Sequence, residues 1–324
     1  MEKRERIIGG IMGVVVGDAL GLPVQFMSRD EVRRNPVTEM RGRGTFDLPP
    51  GSWSDDSSLT LCLAKSLADK GEFDMADVAR SFVAWLGEGY MTPYGYAYDI
   101  GGTTAKAVSN MRQWIKSGAN GPPDTPFGPN GERDNGNGAL MRILPGILFY
   151  DQYFGVDPEQ DAMVGQVAVD IAAMTHGHQI SILACGIYGA IVTNLMDGKD
   201  PARACKMGQI EWGLPEQFNR ILAGNVQDIP ESEIRSTGYV VDSLEAAIWC
   251  FTRHDNYRDT VLAAVNLGGD TDTIAAIAGG LAGVAYGIGD IPTAWIAQLA
   301  KGEMVMQIAR DFADACEAPH SGLY

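Results

Sequence analysis

Two short acidic runs, Ser54-Asp55-Asp56 and Asp270-Thr271-Asp272-Thr273, carry the clearest chemical signal in the chain. The first follows the Pro49-Pro50-Gly51 turn and opens an apolar stretch near Ser57. The second follows Gly268-Gly269 and opens another from Ile274. Aspartate and serine are good helix N-caps, and for one such residue capping is explanation enough. A cap, however, uses one oxygen. Each junction here supplies two carboxylates and at least one hydroxyl, and crowding like charges is costly unless a cation compensates. Oxygen-only ligands suit hard divalent ions, magnesium and manganese first and calcium after them. A zinc–thiolate site is disfavoured: there is no Cys-x-x-Cys or His-x-x-x-His spacing, and the histidines number four. Spacing alone does not bring the two runs together.

The elements that must hold these runs read as helices. Apolar residues recur at steps of three and four: Ile8, Ile11, Met12, Val15, Ala19; Leu59, Cys62, Leu63, Leu67; Val164, Val167, Ala168, Ile171. A further run, Ile180, Leu183, Ala184, Ile187, Ile191 and Leu195, closes at Gly198 as a C-cap. Ser28 with Glu31, and Asp242 with Glu245, stand at capping-box spacing. No sustained period-two alternation marks a half-buried sheet, although Met40 to Trp53 has room for a short hairpin or extended loop. The fold class predicted is all-α, with residues 1–324 as a single domain, since no repeat and no linker divides the chain. Ser117 to Gly138 is too rich in Gly, Pro and Asn for a helix, and a loop of that length often serves function. The six tryptophans are read as packing residues.

Composition narrows the function classes. With 324 residues and 45% hydrophobic content the chain can bury a sizeable core. A net charge of −16 repels nucleic-acid backbones, and no basic block offsets it, so general nucleic-acid binding is excluded as an expectation. An anionic substrate would then need a local device, either cations or helix N-termini. Five widely spaced cysteines suggest reduced thiols in a cytoplasmic protein. The apolar start at residues 7–17 lacks a signal-peptide n-region and cleavage site, and the stretch from Ile274 to Gly289 is short for a membrane crossing.

One ordered set of motifs goes further. Gly17-Asp18-Ala19-Leu20-Gly21, Trp53-Ser54-Asp55-Asp56-Ser57, Asp99-Ile100-Gly101 and Gly136-Asn137-Gly138-Ala139-Leu140-Met141-Arg142 are followed by Thr175-His176, Gly238-Tyr239-Val240-Val241-Asp242 and Gly268-Gly269-Asp270-Thr271-Asp272-Thr273. In this order and over nearly the whole length, the chain resembles the ADP-ribosylglycohydrolase family.

The resemblance implies an orthogonal helical bundle whose cleft holds two divalent cations, Mg²⁺ or Mn²⁺. It implies Ser54, Asp55, Asp56, Asp270, Asp272 and Thr273 as their ligands. It further implies hydrolysis of the glycosidic bond between ADP-ribose and an acceptor, arginine of a modified protein first. Alternatives are another conjugate, serine- or nucleotide-linked, and an ADP-ribose-binding or crystallin-like protein without turnover. Asp99 matches the acid/base carboxylate, against a reading as a helix cap, and Asp56 shares the catalytic role by holding the reacting water. Gly136, Asn137, Gly138 and Ala139 match the phosphate loop, where glycines let backbone N–H groups approach an anion. His176 matches a substrate contact, His178 is read as structural, and Tyr239 is read as stacking on or hydrogen-bonding the substrate. The expected partner is an ADP-ribosylated protein or small conjugate, with no membrane. One departure stands out: Gln25 lies where many members carry Glu, and a neutral amide cannot act as a general base.

Overall fold

The computed structural model describes residues 1–118, 123, 126–153, 158–206 and 214–318, and among them there is no β-sheet. The helices are α1 (Lys3–Gly21), α2 (Arg29–Arg34), α3 (Asp55–Lys70), α4 (Met75–Glu88), α5 (Gly102–Lys116), α6 (Leu144–Tyr150), α7 (Pro158–Ala173) and α8 (Gln179–Met196). They continue as α9 (Pro201–Ala204), α10 (Asn219–Leu222), α11 (Val240–Thr252), α12 (Tyr257–Val265), α13 (Thr271–Tyr286), α14 (Thr293–Gln298) and α15 (Gly302–Glu317). The all-α expectation holds, and its cause is visible in α15. Val305, Ile308, Ala309, Phe312, Ala313 and Cys316 follow the three-and-four spacing and are the residues of that helix that are buried.

At the centre lie α1 and α13. Every residue of α1 from Ile7 to Gly21 is buried, which explains an apolar run without a polar stripe. By length and hydropathy this helix would pass for a membrane span, yet it lies wholly inside the protein. The two helices run antiparallel and touch backbone to backbone, because α1 carries glycine at every fourth position along the seam. A Cβ at Gly13 would sit 2.2 Å from the Gly279 carbonyl oxygen, and one at Gly17 would sit 2.1 Å from that of Ala275. No other residue fits at either place. Tyr257 of α12 fastens the seam by donating its hydroxyl to the Gly13 carbonyl at 2.7 Å.

Other expectations divide. Ser28 and Glu31 do form a capping box at α2, and Gly198 follows α8 with φ +83°, its N–H on the Leu195 carbonyl. Asp242 and Glu245 do not form one. Helix α11 starts earlier, at Val240 after Tyr239, so Asp242 lies in the first turn, where it accepts the Thr237 hydroxyl at 2.7 Å. Glu245 is instead paired with Arg220 at 2.9 Å. Capping-box spacing recurs one turn into a helix, and nothing local tells the two apart. Between Met40 and Trp53 the extended reading reduces to one antiparallel bridge, Arg43 to Leu48, around a 3₁₀ turn at Gly44–Phe46. Trp53, Trp85, Trp249 and Trp295 are buried, and Trp114 stands edge-on to Phe127 at 5.5 Å. Trp212 and residues 119–122, 124 and 125 of the long loop lie outside the described residues. All five cysteines are buried as free thiols.

Candidate functional site

The glycine seam decides where the first carboxylate lies. Asp18, one residue after Gly17, is wholly buried and reaches across to the start of α3. There it accepts the Ser54 N–H at 2.9 and 3.1 Å, the Ser57 N–H at 3.1 Å and the Ser57 hydroxyl. Helix α3 is thus capped by an aspartate from another helix, and Ser54, its own N-cap residue, makes no capping bond. This answers the capping alternative for Asp55 and Asp56. The Ser54 and Ser57 N–H groups, two of the donors they could have served, are already satisfied by Asp18.

Asp55 and Asp56 face the start of α13. Thr273 donates to Asp56 Oδ2 at 3.4 Å, and Ser54 Oγ donates to the same oxygen at 3.1 Å. One carboxylate oxygen from each of Asp18, Asp56 and Asp272 lies within 4.8 Å of the others. The two acidic runs, distant in sequence, therefore meet. Asp270, the N-cap residue of α13, also leaves its cap unmade. Its oxygens take the Asn137 amide at 2.6 Å and the Gln25 amide at 3.5 Å.

Charge is the cost of this arrangement. Burial first, then the neighbouring aspartates, hold Asp55, Asp56 and Asp272 well above the usual carboxylate range. Asp18 is pushed up to about 6 by burial, against the pull of its hydrogen bonds from Ser57 and Ser54. Within this group Asp56 Oδ1 and both oxygens of Asp272 are buried without any hydrogen-bond partner. Native proteins rarely leave buried acceptors orphaned, and hard-oxygen lone pairs converging from several sides are what a divalent cation requires. The residues present fit such an ion. Asp18 has the right proximity but its lone pairs are engaged, so the open positions are at Asp55, Asp56 and Asp272.

Above the acids opens a cleft of about 550 Å³, lined among others by Gln25, Asp55, Asp99, Asn137, His176 and Asp270. That volume lies within the range of small-molecule sites. Asp99 is not a helix cap: Gly101 holds that position for α5. The residue sits in the left-handed region, φ +53°, and accepts the Gln25 amide at 2.8 Å. Burial raises its pKa, while the Gln25 hydrogen bond pulls the other way. Both partners of Gln25 Nε2 are carboxylates, which can only accept when ionised. The amide nitrogen must therefore face them, and a glutamate there would add a third anion.

The loop at 136–139 forms the opposite wall. Asn137 does not offer its backbone N–H, which is bonded to the Gly238 carbonyl at 3.1 Å. Its side chain serves instead, bracing Asp270 and Ser243. The N–H groups of Gly138 and Ala139 take no partner among the described residues; Gly138 lines the cleft, and Ala139 behind it is fully buried. Gly138 is obligatory for a different reason from phosphate approach alone: a Cβ there would lie 2.6 Å from His176 Cε1. His176 is buried, with its pKa lowered to about 3 by desolvation and then by the Arg142 charge. It faces the cleft as a neutral imidazole. Arg142, itself fully buried, donates to Thr175 Oγ1 at 2.7 Å, and Thr175 lies 3.0 Å from His176 Nδ1. That relay favours the proton on Nε2, toward the loop. His178 is structural, its ring capping α8 through the Ile180 N–H. Tyr239 pairs through its main chain with Gly136 in a short bridge, and its half-buried side chain packs against the core.

With the geometry in place, comparison with known proteins gives the same answer. A sequence model of the ADP-ribosylglycohydrolase family matches residues 1–322. The chain belongs to the ADP-ribosylglycohydrolase family. It is 33% identical over 311 residues to "ADP-ribosylarginine hydrolase Tri1" of Serratia proteamaculans, covering 95% of this chain and 79% of that protein. It is 32% identical to the "ADP-ribosyl-[dinitrogen reductase] glycohydrolase" of Rhodospirillum rubrum, covering 91% and 90%. A solved structure described as "ADP-ribosylglycohydrolase-related protein complex" superposes with a TM-score of 0.78 at 30% identity, covering 97% of this chain and 99% of that one. The protein is a glycohydrolase, acting on ADP-ribosyl conjugates.

Sequence reasoning quoted Asp18 within a motif but gave it no role. It was visible as a lone acid in an otherwise apolar helix, and such a residue needs a buried partner.

Proposed function

We propose that the protein hydrolyses the N-glycosidic bond between ADP-ribose and the guanidinium of an arginine in a modified protein, using two divalent cations, Mg²⁺ or Mn²⁺. The observation that carries this reading is the set of orphaned oxygens on Asp56 and Asp272, beside a cleft sized for a nucleotide sugar. Ser54, Asp55 and Asp56 from α3, with Asp270, Asp272 and Thr273 from α13, would hold the ions. Once bound, such ions supply positive charge that grips vicinal ribose hydroxyls and acidifies water. The arginine linkage rests on the similarity to the Serratia protein named as an ADP-ribosylarginine hydrolase and on Gln25.

The chain's own residues do the rest. The Gly138 N–H group and neutral His176 hold the diphosphate side without adding a cation, which lets the strongly acidic protein take an anionic substrate. Asp99, braced by Gln25, moves the proton: water adds its oxygen to the anomeric carbon, the carbon–nitrogen bond breaks, and the guanidine leaves protonated. Asp55 and Asp56 offset the oxocarbenium-like charge that develops on the ribose. Five unpaired, buried thiols support a reducing, cytoplasmic setting.

The test is release of ADP-ribose from arginine-, serine- and nucleotide-linked substrates with Mg²⁺, with Mn²⁺ and after chelation. Metal-dependent release from the arginine conjugate is expected. Undiminished release after chelation would remove the cations, and binding of ADP-ribose without release from any conjugate would favour a binding protein.

A further inference from the structure

The rim of the cleft carries an aromatic ridge that no catalytic step uses. Phe46 and Tyr98 have ring centroids 5.8 Å apart, Tyr98 and Tyr96 are 5.8 Å apart, and Tyr96 and Tyr94 are 6.4 Å apart. The ridge starts at the site itself. Tyr98 precedes Asp99 and donates its hydroxyl to the Trp53 carbonyl, next to Ser54. Thr45, beside Phe46, donates to the Gln25 carbonyl. From there it runs outward into solvent. Tyr96 is 52% exposed, Tyr94 38%, and Phe26, which lines the cleft mouth with φ +67°, is 66% exposed. Among the described residues these, with Tyr90, Ile100 and Met1, are the large apolar side chains most open to water.

Exposed aromatics gathered at one place on a monomer mark a binding surface. The charge around them says what binds. The protein carries −16 overall, and the cations near the ridge are engaged: Arg43 is paired with Asp47 at 3.2 Å and Lys301 donates to the Thr92 carbonyl at 2.7 Å. Aromatic faces in an acidic field attract guanidinium and ammonium groups, and they repel nucleic acid and anionic lipid. We infer that the Tyr94–Tyr96–Tyr98 ridge docks the cation-rich protein segment that flanks the ADP-ribosylated side chain. It would act as a macromolecular-substrate surface distinct from the nucleotide cleft. This rests on the proposed hydrolysis of protein conjugates.

The experiment compares wild type with the Tyr94→Ser/Tyr96→Ser double variant on two substrates, an arginine-ADP-ribosylated protein and small ADP-ribosyl-arginine. An exposed cation–π contact is worth about two- to fivefold in affinity, so losing two should raise KM for the protein roughly four- to twenty-five-fold. Both kcat and the small-substrate KM should stay at wild-type values. The Tyr96→Phe variant, which keeps the ring, should behave as wild type. Equal KM values on the protein substrate, or the same loss on both substrates, would overturn the inference. Binding separates it from the function reading. Fluorescence anisotropy of a labelled arginine-rich peptide, against an acidic peptide of equal length, should show preference for the basic one in wild type and not in the double variant. Lack of that preference overturns the docking surface whatever the turnover. Preference without any ADP-ribose release leaves the surface standing and sinks the hydrolase. Concentration-dependent dimerisation that the double variant abolishes would assign the ridge to a second copy and also overturn it.

Discussion

Replacing Gly17 with alanine tests how the site is held, because the new methyl has no place to go. Its Cβ would lie 2.1 Å from the Ala275 carbonyl oxygen, whereas a carbon–oxygen contact settles at about 3.3 Å, so α1 and α13 must part locally by about 1.2 Å. Overpacking of this kind costs about 1–3 kcal/mol, and for a chain of this size that lowers Tm by about 1.5–4.5 °C. The larger effect falls on the chemistry. Asp18 moves with α1 and carries the cap of α3 with it, so Asp56 and Asp272 lose register. A misplacement of about 1 Å costs roughly a hundredfold in rate. The control is Gly186→Ala in α8, where a Cβ meets nothing within 4 Å. There the gain in helix propensity, up to about 1 kcal/mol, should raise Tm slightly. Thermal unfolding, calorimetric Mn²⁺ titration and turnover are measured on both variants. If Gly17→Ala matches Gly186→Ala in all three, the close seam does not set the site.

Four further outcomes follow from the same geometry. Asp272→Asn should lose tight Mn²⁺ binding in calorimetry while the metal-free protein unfolds at the same or a higher temperature, since a crowded charge is removed; wild-type affinity would refute its ligand role. The cluster's folded-state pKa values are raised, so the folded protein binds more protons than the unfolded one between the unfolded aspartate value, about 3.9, and the folded values, which begin at about 6 with Asp18. The cluster's contribution is accordingly complete below pH 4 and is lost as pH rises: chelated protein should lose Tm across that interval, and added Mn²⁺ should remove the loss, in pH-scanned thermal melts. Asp99→Asn should keep metal affinity but lower kcat by about 10²- to 10⁴-fold on the arginine conjugate, and full activity would remove it from proton transfer. Gln25→Glu trades the donor to Asp99 and Asp270 for a buried anion, so the chelated protein should be destabilised by about 1–3 kcal/mol in urea titration.

Much of this was legible before any coordinates. Helical spacing placed α1, α3, α7 and α8, because each has a core on one side or all around and so repeats at three and four. The paired aspartates pointed to more oxygens than caps need, and carboxylates from both helix starts do converge. Helix starts read less well: the Asp242–Glu245 pattern is chemically sound but sits one turn inside α11. What stayed hidden was long-range. Nothing near Asp18 in sequence tells that its three donors lie at the start of α3, and nothing near Asn137 tells that its amide braces Asp270. The Gly136–Tyr239 bridge was hidden for another reason, since main-chain pairing is something side-chain identity does not report.

The meeting of α3 and α13 also sets a schedule for the newly made chain. Asp56 and Thr273 are separated by 217 positions, and the glycines of α1 have no seam to close until α13 has left the ribosome. Until then Asp18 and Asp56 belong to a fragment with half a binding site and an exposed, unusually apolar first helix. Closing so long a loop is slow, and cations cannot template it early because no partial chain offers both walls. The carboxylate cluster is therefore completed last, and it joins the N-terminal and C-terminal parts of the polypeptide at one place.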